Sequence, residues 1–234
     1  MASTDMTPNT MLGAPPMAEE RIGTFLRAVY GWMTAGLALT ALTASFVASS
    51  PTLVRAVGSS FWIFFIAQIG IVFFLSARVD KLAASTASLL FLAYSVLTGV
   101  TLSFVLLAYT GESVAMTFMI TAGMFGSLAM YGTATGRSLS GVGQAMFMGL
   151  IGIILASLVG MFWHSDALQF VISCAGVVVF AGLAAYDAQR LKAMALAAPN
   201  GATGSYAVVG ALALYLDFIN LFLMLLRFFG NRRD

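Results

Sequence analysis

From about residue 25 to residue 229 the chain alternates long apolar stretches with short polar breaks. A helix rising about 1.5 Å per residue needs about twenty apolar residues to cross a bilayer core of about 30 Å. On that rule the pattern predicts spans over 25–48, 61–77, 82–108, 114–135, 142–163, 167–190 and 206–229. The breaks between them are polar or rich in Pro and Gly: SSPTLVRAVGSS, ARVDK, YTGES, GRSLSG, HSD and APNGATGS. The second run is short. The third is long enough to tilt, or to kink at Gly99. Residues 1–24 are polar, contain proline and show no periodicity, so they are expected to form a mobile tail. They also lack the basic start and apolar centre of a signal peptide. Residues 25–230 then form the membrane domain and 231–234 a short polar C-terminus.

Two carboxylates interrupt the pattern. Asp187 sits in GLAAYDAQRLK and Asp217 in LYLDFINLFLMLLRFF. A charged Asp inside a span costs several kcal/mol unless it is paired, neutralised or hydrated. The spans that carry them are joined by APNGATGS, which makes an antiparallel hairpin. Both carboxylates lie about 20 Å from that connection, at matched depth. Gly210, Asp217, Asn220 and Arg227 follow at intervals of seven, three and seven, so they share one stripe of the last helix. A polar stripe belongs inside a bundle, which places that helix centrally. Two carboxyls within hydrogen-bonding reach share a proton and titrate as a pair. With both protons off they form a hard-oxygen pair able to contact Ca²⁺ transiently. The structural alternative is an ordinary pairing of Asp187 with Arg190 three residues on, with Asp217 held by Asn220.

Composition agrees with the pattern. The chain is 60% hydrophobic and only 9% charged, against about a quarter charged residues in soluble domains. Its net charge of +2 and lack of a basic tract speak against a nucleic-acid partner. One cysteine (Cys174, read as a small buried apolar residue) and one histidine (His164, read as a surface residue) cannot build a disulfide or a Cys/His metal centre. No metal cofactor or organic cofactor is expected. With the N-terminus cytoplasmic, Arg21, Arg27, Arg78, Lys81, Arg137, Arg190 and Lys192 fall on the inner face, and Arg55, Arg227, Arg232 and Arg233 on the outer. That bias favours N-in, C-out. Small residues at Gly152, Ala156 and Gly160, and in GTATG (132–136), predict close helix packing. Trp32, Trp62 and Trp163 suggest an interfacial belt. The assembly is expected to be a monomer or a weak oligomer.

The ending ALYLDFINLFLMLLRFFG is similar to that of the transmembrane Bax-inhibitor-motif family. AAYDAQRLK resembles the family's Tyr-Asp-x-x-x-[Ile/Leu] segment, and YSVLTGVTLSFV its third span. On these strings the chain, over residues 20–230, is identified as a bacterial-type member. The resemblance implies an all-α integral membrane protein of seven transmembrane helices, six in two layers around a central C-terminal helix. It also implies a hydrogen-bonded aspartate dyad, here Asp187 and Asp217, which senses pH and governs a calcium leak. A basic latch at the end of the second span would be Arg78 or Lys81, with Asp80 close by to neutralise one of them. Asn220, Arg190 and Arg227 are supporting polar residues.

The leading expectation is a pH-sensitive passive Ca²⁺ leak with no enzymatic activity, in a bacterial inner membrane. The second is a regulatory membrane protein that modulates a membrane protease or a stress response through a membrane-protein partner, without ion transport. An intramembrane aspartyl protease would also use two aspartates on adjacent spans. Such enzymes, however, carry Gly-x-Gly-Asp, where this chain has Leu214-Tyr215-Leu216-Asp217. A retinal protein needs a lysine in its last span, and the lysines here are Lys81 and Lys192. No Gly-x-Ser-Gly string or phosphate-binding loop occurs.

Overall fold

The computed structural model describes residues 16–163, 165–199 and 202–233. It is built from helices: α1 (Pro16–Ala48), α2 (Pro51–Ser59), α3 (Phe61–Ala77), α4 (Ala84–Ala108), α5 (Gly111–Ala134), α6 (Ser140–Phe162), α7 (Asp166–Ala197) and α8 (Thr203–Phe229). A single 3₁₀ turn, Val79–Lys81, joins α3 to α4. Six of these helices are long and apolar enough to cross a membrane, and the α2–α3 pair, bent by 71°, supplies a seventh span if counted as one. The protein is an all-α integral membrane protein.

Four differences from the pattern are informative. α1 starts at Pro16, so residues 16–24 are its first turns and not tail; residues 1–15 lie outside the described residues. The break before α3 contains the short helix α2, with Pro51 in its first turn and the Ser50 hydroxyl accepting from the Leu53 amide. Proline there presets φ and surrenders only an amide that would be unpaired anyway. α7 continues to Ala197, which brings Arg190 and Lys192 inside the helix. α4 runs unbroken through Gly99. A β-carbon on Gly99 would fall 2.6 Å from the Thr40 carbonyl oxygen, so this glycine lets α1 and α4 approach closely.

α8 is the axis. Two-thirds of its most apolar window is buried, more than in any other candidate span among the described residues. It packs against α1, α4, α5 and α7. Leu212, Leu214, Tyr215, Leu221 and Leu226 are fully enclosed. α6 is the opposite case: it packs chiefly on α7 and shows Phe147, Met148, Leu155, Leu158 and Phe162 outward. In lipid such a face is solvated by acyl chains, so its exposure carries no penalty.

The small-residue signals divide. Gly132 meets the Ala185 backbone and sets the α5–α7 contact, but Gly136 and Gly152 face open space. Within the Gly152–Ala156–Gly160 row, Gly152 meets no other helix, whereas Gly160 is buried against Leu168 and Gln169 of α7 and Ala156 packs on the core. Trp62 and Trp163 are exposed, as a belt requires. Trp32 instead lies well inside α1, edge-on to Phe91 at 6.4 Å between ring centroids. Cys174 is half-buried and free, and His164 lies outside the described residues.

Candidate functional site

Asp187 on α7 and Asp217 on α8 face the same space between their helices, close enough for each to act on the other electrostatically. Two carboxyls so placed disfavour double ionisation, and a hydrogen bond between them needs a proton on one. Asp217 is 6% exposed, and its Oδ2 has no hydrogen-bond partner among the described residues. Asp187 is half-buried in front of it, and Arg190, one helical turn along α7, acts on Asp187 electrostatically. The hairpin explains the meeting. Asp187 is ten residues from the end of α7 and Asp217 fourteen from the start of α8, which is about 15 Å and 21 Å of rise in opposite directions.

Both carboxyls line a cavity of about 1240 Å³ between α6, α7 and α8. Arg190 lines it on one side of the pair. Arg227, ten residues beyond Asp217 on the antiparallel helix, lines it toward the opposite end, about 15 Å away along α8. Gln144, Ser157 and Gln169 add polar atoms to walls that are otherwise Phe, Leu, Ile and Met. Asn220 also faces this space, although its amide donates to the Leu216 carbonyl at 2.8 Å on its own helix. The stripe expected on α8 is present for Asp217, Asn220 and Arg227. Gly210 lies on the same side of α8 but beyond the cavity, packed against Leu191 of α7.

The basic latch residues stand elsewhere. Arg78 ends α3 with its guanidinium 5.3 Å from the centroid of the Phe74 ring, and Lys81 is exposed in the 3₁₀ turn. Neither lines the cavity, to which α3 contributes Phe65. The side chain of Asp80 lies outside the described residues.

The side of α8 away from the cavity carries a contact that no sequence pattern announced. Tyr215, fully buried, places its hydroxyl 2.6 Å from Thr40 Oγ1 on α1. Thr40 spends its single proton on the Ser95 carbonyl of α4 at 2.9 Å, so the tyrosine is the donor. Tyr215 and Asp217 are two positions apart, which points them about 200° apart around the helix. α8 is thus held to α1 and α4 by hydroxyls on one side, while it presents a carboxyl to α7 on the other. Thr40 and Ser95 are hydroxyls inside apolar runs, a signal available in the sequence, but nothing in the sequence pairs them. Gln189 makes a second contact of this kind. Its side chain accepts from the Leu139 amide and donates to the Arg137 carbonyl, both at 2.8 Å, and so ties α7 to the α5–α6 connection.

Among the described residues no cluster of three or more His, Cys, Asp or Glu side chains is arranged to hold a metal ion. Any cation at the carboxyl pair would meet two protein carboxylates and complete its shell with water.

Residues 22–234 match the family described as inhibitor of apoptosis-promoting Bax1. The chain belongs to this family. The match takes in every span from α1 to α8, including both aspartates. Among relatives, the Inner membrane protein YbhL of Escherichia coli is 50% identical over 216 residues, covering 90% of this chain and 92% of its own. A protein of Borreliella burgdorferi, described as uncharacterized, is 45% identical over 215 residues, with 90% and 93% covered. Another of Rickettsia prowazekii, also described as uncharacterized, is 40% identical over 219 residues, with 92% and 93% covered. The family is one of membrane proteins, and the resemblance read from LYLDFINLF is upheld.

Proposed function

We propose that this protein is a proton-regulated passive leak for cations, with Ca²⁺ as the permeant ion. The observation that carries the reading is the pairing of Asp217, buried and with one oxygen unpartnered, with Asp187 at the wall of a cavity between three spans. With one proton shared, the carboxyls attract each other and hold α7 against α8. Loss of that proton leaves two negative charges in contact in a medium that screens them poorly. The α7–α8 contact then loosens, and the same oxygens become attractive to a divalent cation. Arg190 and Arg227 bracket the pair and limit how long a cation stays. Weak, brief binding is what conduction needs.

Arg78 or Lys81 acts as a latch in this scheme only if the α3–α4 turn moves relative to the cavity. The protein resides in the inner membrane of a bacterium, by likeness to the Escherichia coli relative, with its N-terminus in the cytoplasm by the Lys/Arg bias.

The test is Ca²⁺ entry into proteoliposomes loaded with a Ca²⁺-sensitive dye, followed from mildly acidic to mildly alkaline pH. Wild type should show pH-dependent influx. Asp217→Asn keeps the shape and a hydrogen bond to Asp187 but removes the second negative charge, so its influx should lose the pH dependence. Retention of full pH dependence in Asp217→Asn would sink the mechanism. Absence of influx at every pH would move the reading to a regulatory membrane protein, with the aspartates serving helix packing.

A further inference from the structure

A second feature lies on the opposite side of the bundle from the carboxyl cavity. α1 packs on α4 and α8, and α5 packs on α7 and α8, which leaves a crevice between α1 and α5 floored by Phe218, Ile219 and Phe222 of α8. Its walls are mostly apolar, from Leu37 and Ala41 of α1, Leu106 of α4 and Ala115 and Phe118 of α5, with the hydroxyls of Thr40 and Ser45 among them. One charged residue lines it, Arg233.

Arg233 is held in place by the backbone. Its amide donates to the Ala108 carbonyl at 3.0 Å, and the Thr110 amide donates to the Asn231 carbonyl at 3.0 Å. Between these bonds Arg232 bridges to Tyr109 and lays its guanidinium 5.9 Å from that ring's centroid. Neighbouring residues of an extended segment point to opposite sides. Arg232 is thereby committed to Tyr109, and Arg233 is turned to the crevice. A residue this close to the end of a helix would ordinarily fray; here a backbone bridge fixes its position over an apolar slot.

We propose that this crevice binds one acyl chain of an anionic phospholipid, whose phosphate is held by Arg233. Three observations fit that occupant together. Its exposed lining residues, Ala41, Ala115 and Met119, lie within membrane-spanning helices, so the opening they rim faces hydrocarbon. On α1 it runs from Leu37 to Ser45, about 12 Å of rise, against about 15 Å for one leaflet of a 30 Å core. The cation stands at the end of the slot where a headgroup would lie, and a guanidinium grips phosphate oxygens in a two-point fork. Glu112, exposed in the first turn of α5, stands near that end and disfavours a second phosphate. One lipid per chain follows.

The experiment is native mass spectrometry of the full chain, released from detergent after titration with phosphatidylglycerol or phosphatidylcholine. Wild type should retain one phosphatidylglycerol, with at least a tenfold preference over phosphatidylcholine. Arg233→Gln should keep lipid but lose the preference. Ala115→Trp, at an exposed position where the ring fills the slot without disturbing the core, should lose the bound lipid of either kind. Equal retention of the two lipids by wild type, or an unchanged single bound phosphatidylglycerol in Ala115→Trp, would overturn the proposal. An unchanged preference in Arg233→Gln would overturn the role of that arginine. None of these readouts depends on ion flux, so the lipid site stands or falls apart from the leak.

Discussion

Remove the hydroxyl of Tyr215 and keep its ring. Tyr215→Phe leaves the edge-on contacts with Phe91 and Tyr94, at centroid distances of 5.7 and 5.8 Å, and deletes only the 2.6 Å bond to Thr40. Thr40 still donates to the Ser95 carbonyl, so no donor is orphaned. The expected cost is that of one hydrogen bond between membrane helices, about 0.6 kcal/mol and at most about 1.7. Thr40→Val is the more damaging single change. It strips the Ser95 carbonyl of its side-chain donor and leaves the tyrosine hydroxyl buried without its shortest partner, a loss of about 1–3 kcal/mol. Once Thr40 is Val, removing the tyrosine hydroxyl should cost little or become favourable. The double variant should therefore be more stable than the two single losses added together predict, by about 0.5–2 kcal/mol. Reversible unfolding of the purified protein in mixed detergent and denaturant measures all three. Strict additivity would refute the argument, because it would mean that the 2.6 Å contact contributes nothing. Tyr215→Ala provides the scale, since loss of the whole buried ring should cost about 3–5 kcal/mol.

Two further outcomes follow from the same packing. Gly132→Ala places a methyl against the Ala185 backbone, which cannot rotate aside as a side chain can; α5 must retreat from α7 at about 1–3 kcal/mol. Gly123→Ala on the same helix meets open space and should be neutral or stabilising by about 0.5–1 kcal/mol, so thermal unfolding of the two variants side by side separates a steric effect from a propensity effect. Gln189→Leu removes both bonds that tie α7 to the α5–α6 connection, with an expected loss of about 1–3 kcal/mol. Faster proteolysis or hydrogen exchange confined to residues 135–140 would identify that loss as local. Protection unchanged there would show that the loop is held by other means.

The carboxyl pair shows how far a pattern can reach. Two aspartates at matched depth in consecutive antiparallel spans leave few partners other than each other, and the structure brings Asp187 and Asp217 together. The latch residues show the limit. Arg78 and Lys81 were placed by analogy at the end of a span, and that placement says nothing about which way the following turn carries them. Neither lines the cavity, and Arg78 is settled on Phe74. The start of α1 differs from the hydropathy boundary for a related reason. A helix that continues out of the hydrocarbon needs no apolar residues there, so hydropathy stops near residue 25 while the backbone is helical from Pro16.

The sequence alone determined the spans, because transfer into hydrocarbon sums over about twenty residues and leaves a long, unmistakable signature. It also determined that α8 lies inside the bundle, since a helix carrying Asp217, Asn220 and Arg227 cannot face lipid. Only the tertiary structure decided which small residues are contacts: Gly99 and Gly132 are, and Gly152 is not. Only it paired Tyr215 with Thr40, opened a crevice between α1 and α5, and turned Arg233 toward it. The physical reason is range. Insertion into a membrane is a local property of each segment, whereas helix packing in lipid has no hydrophobic drive and is settled by close fit and hydrogen bonds between residues far apart in the chain.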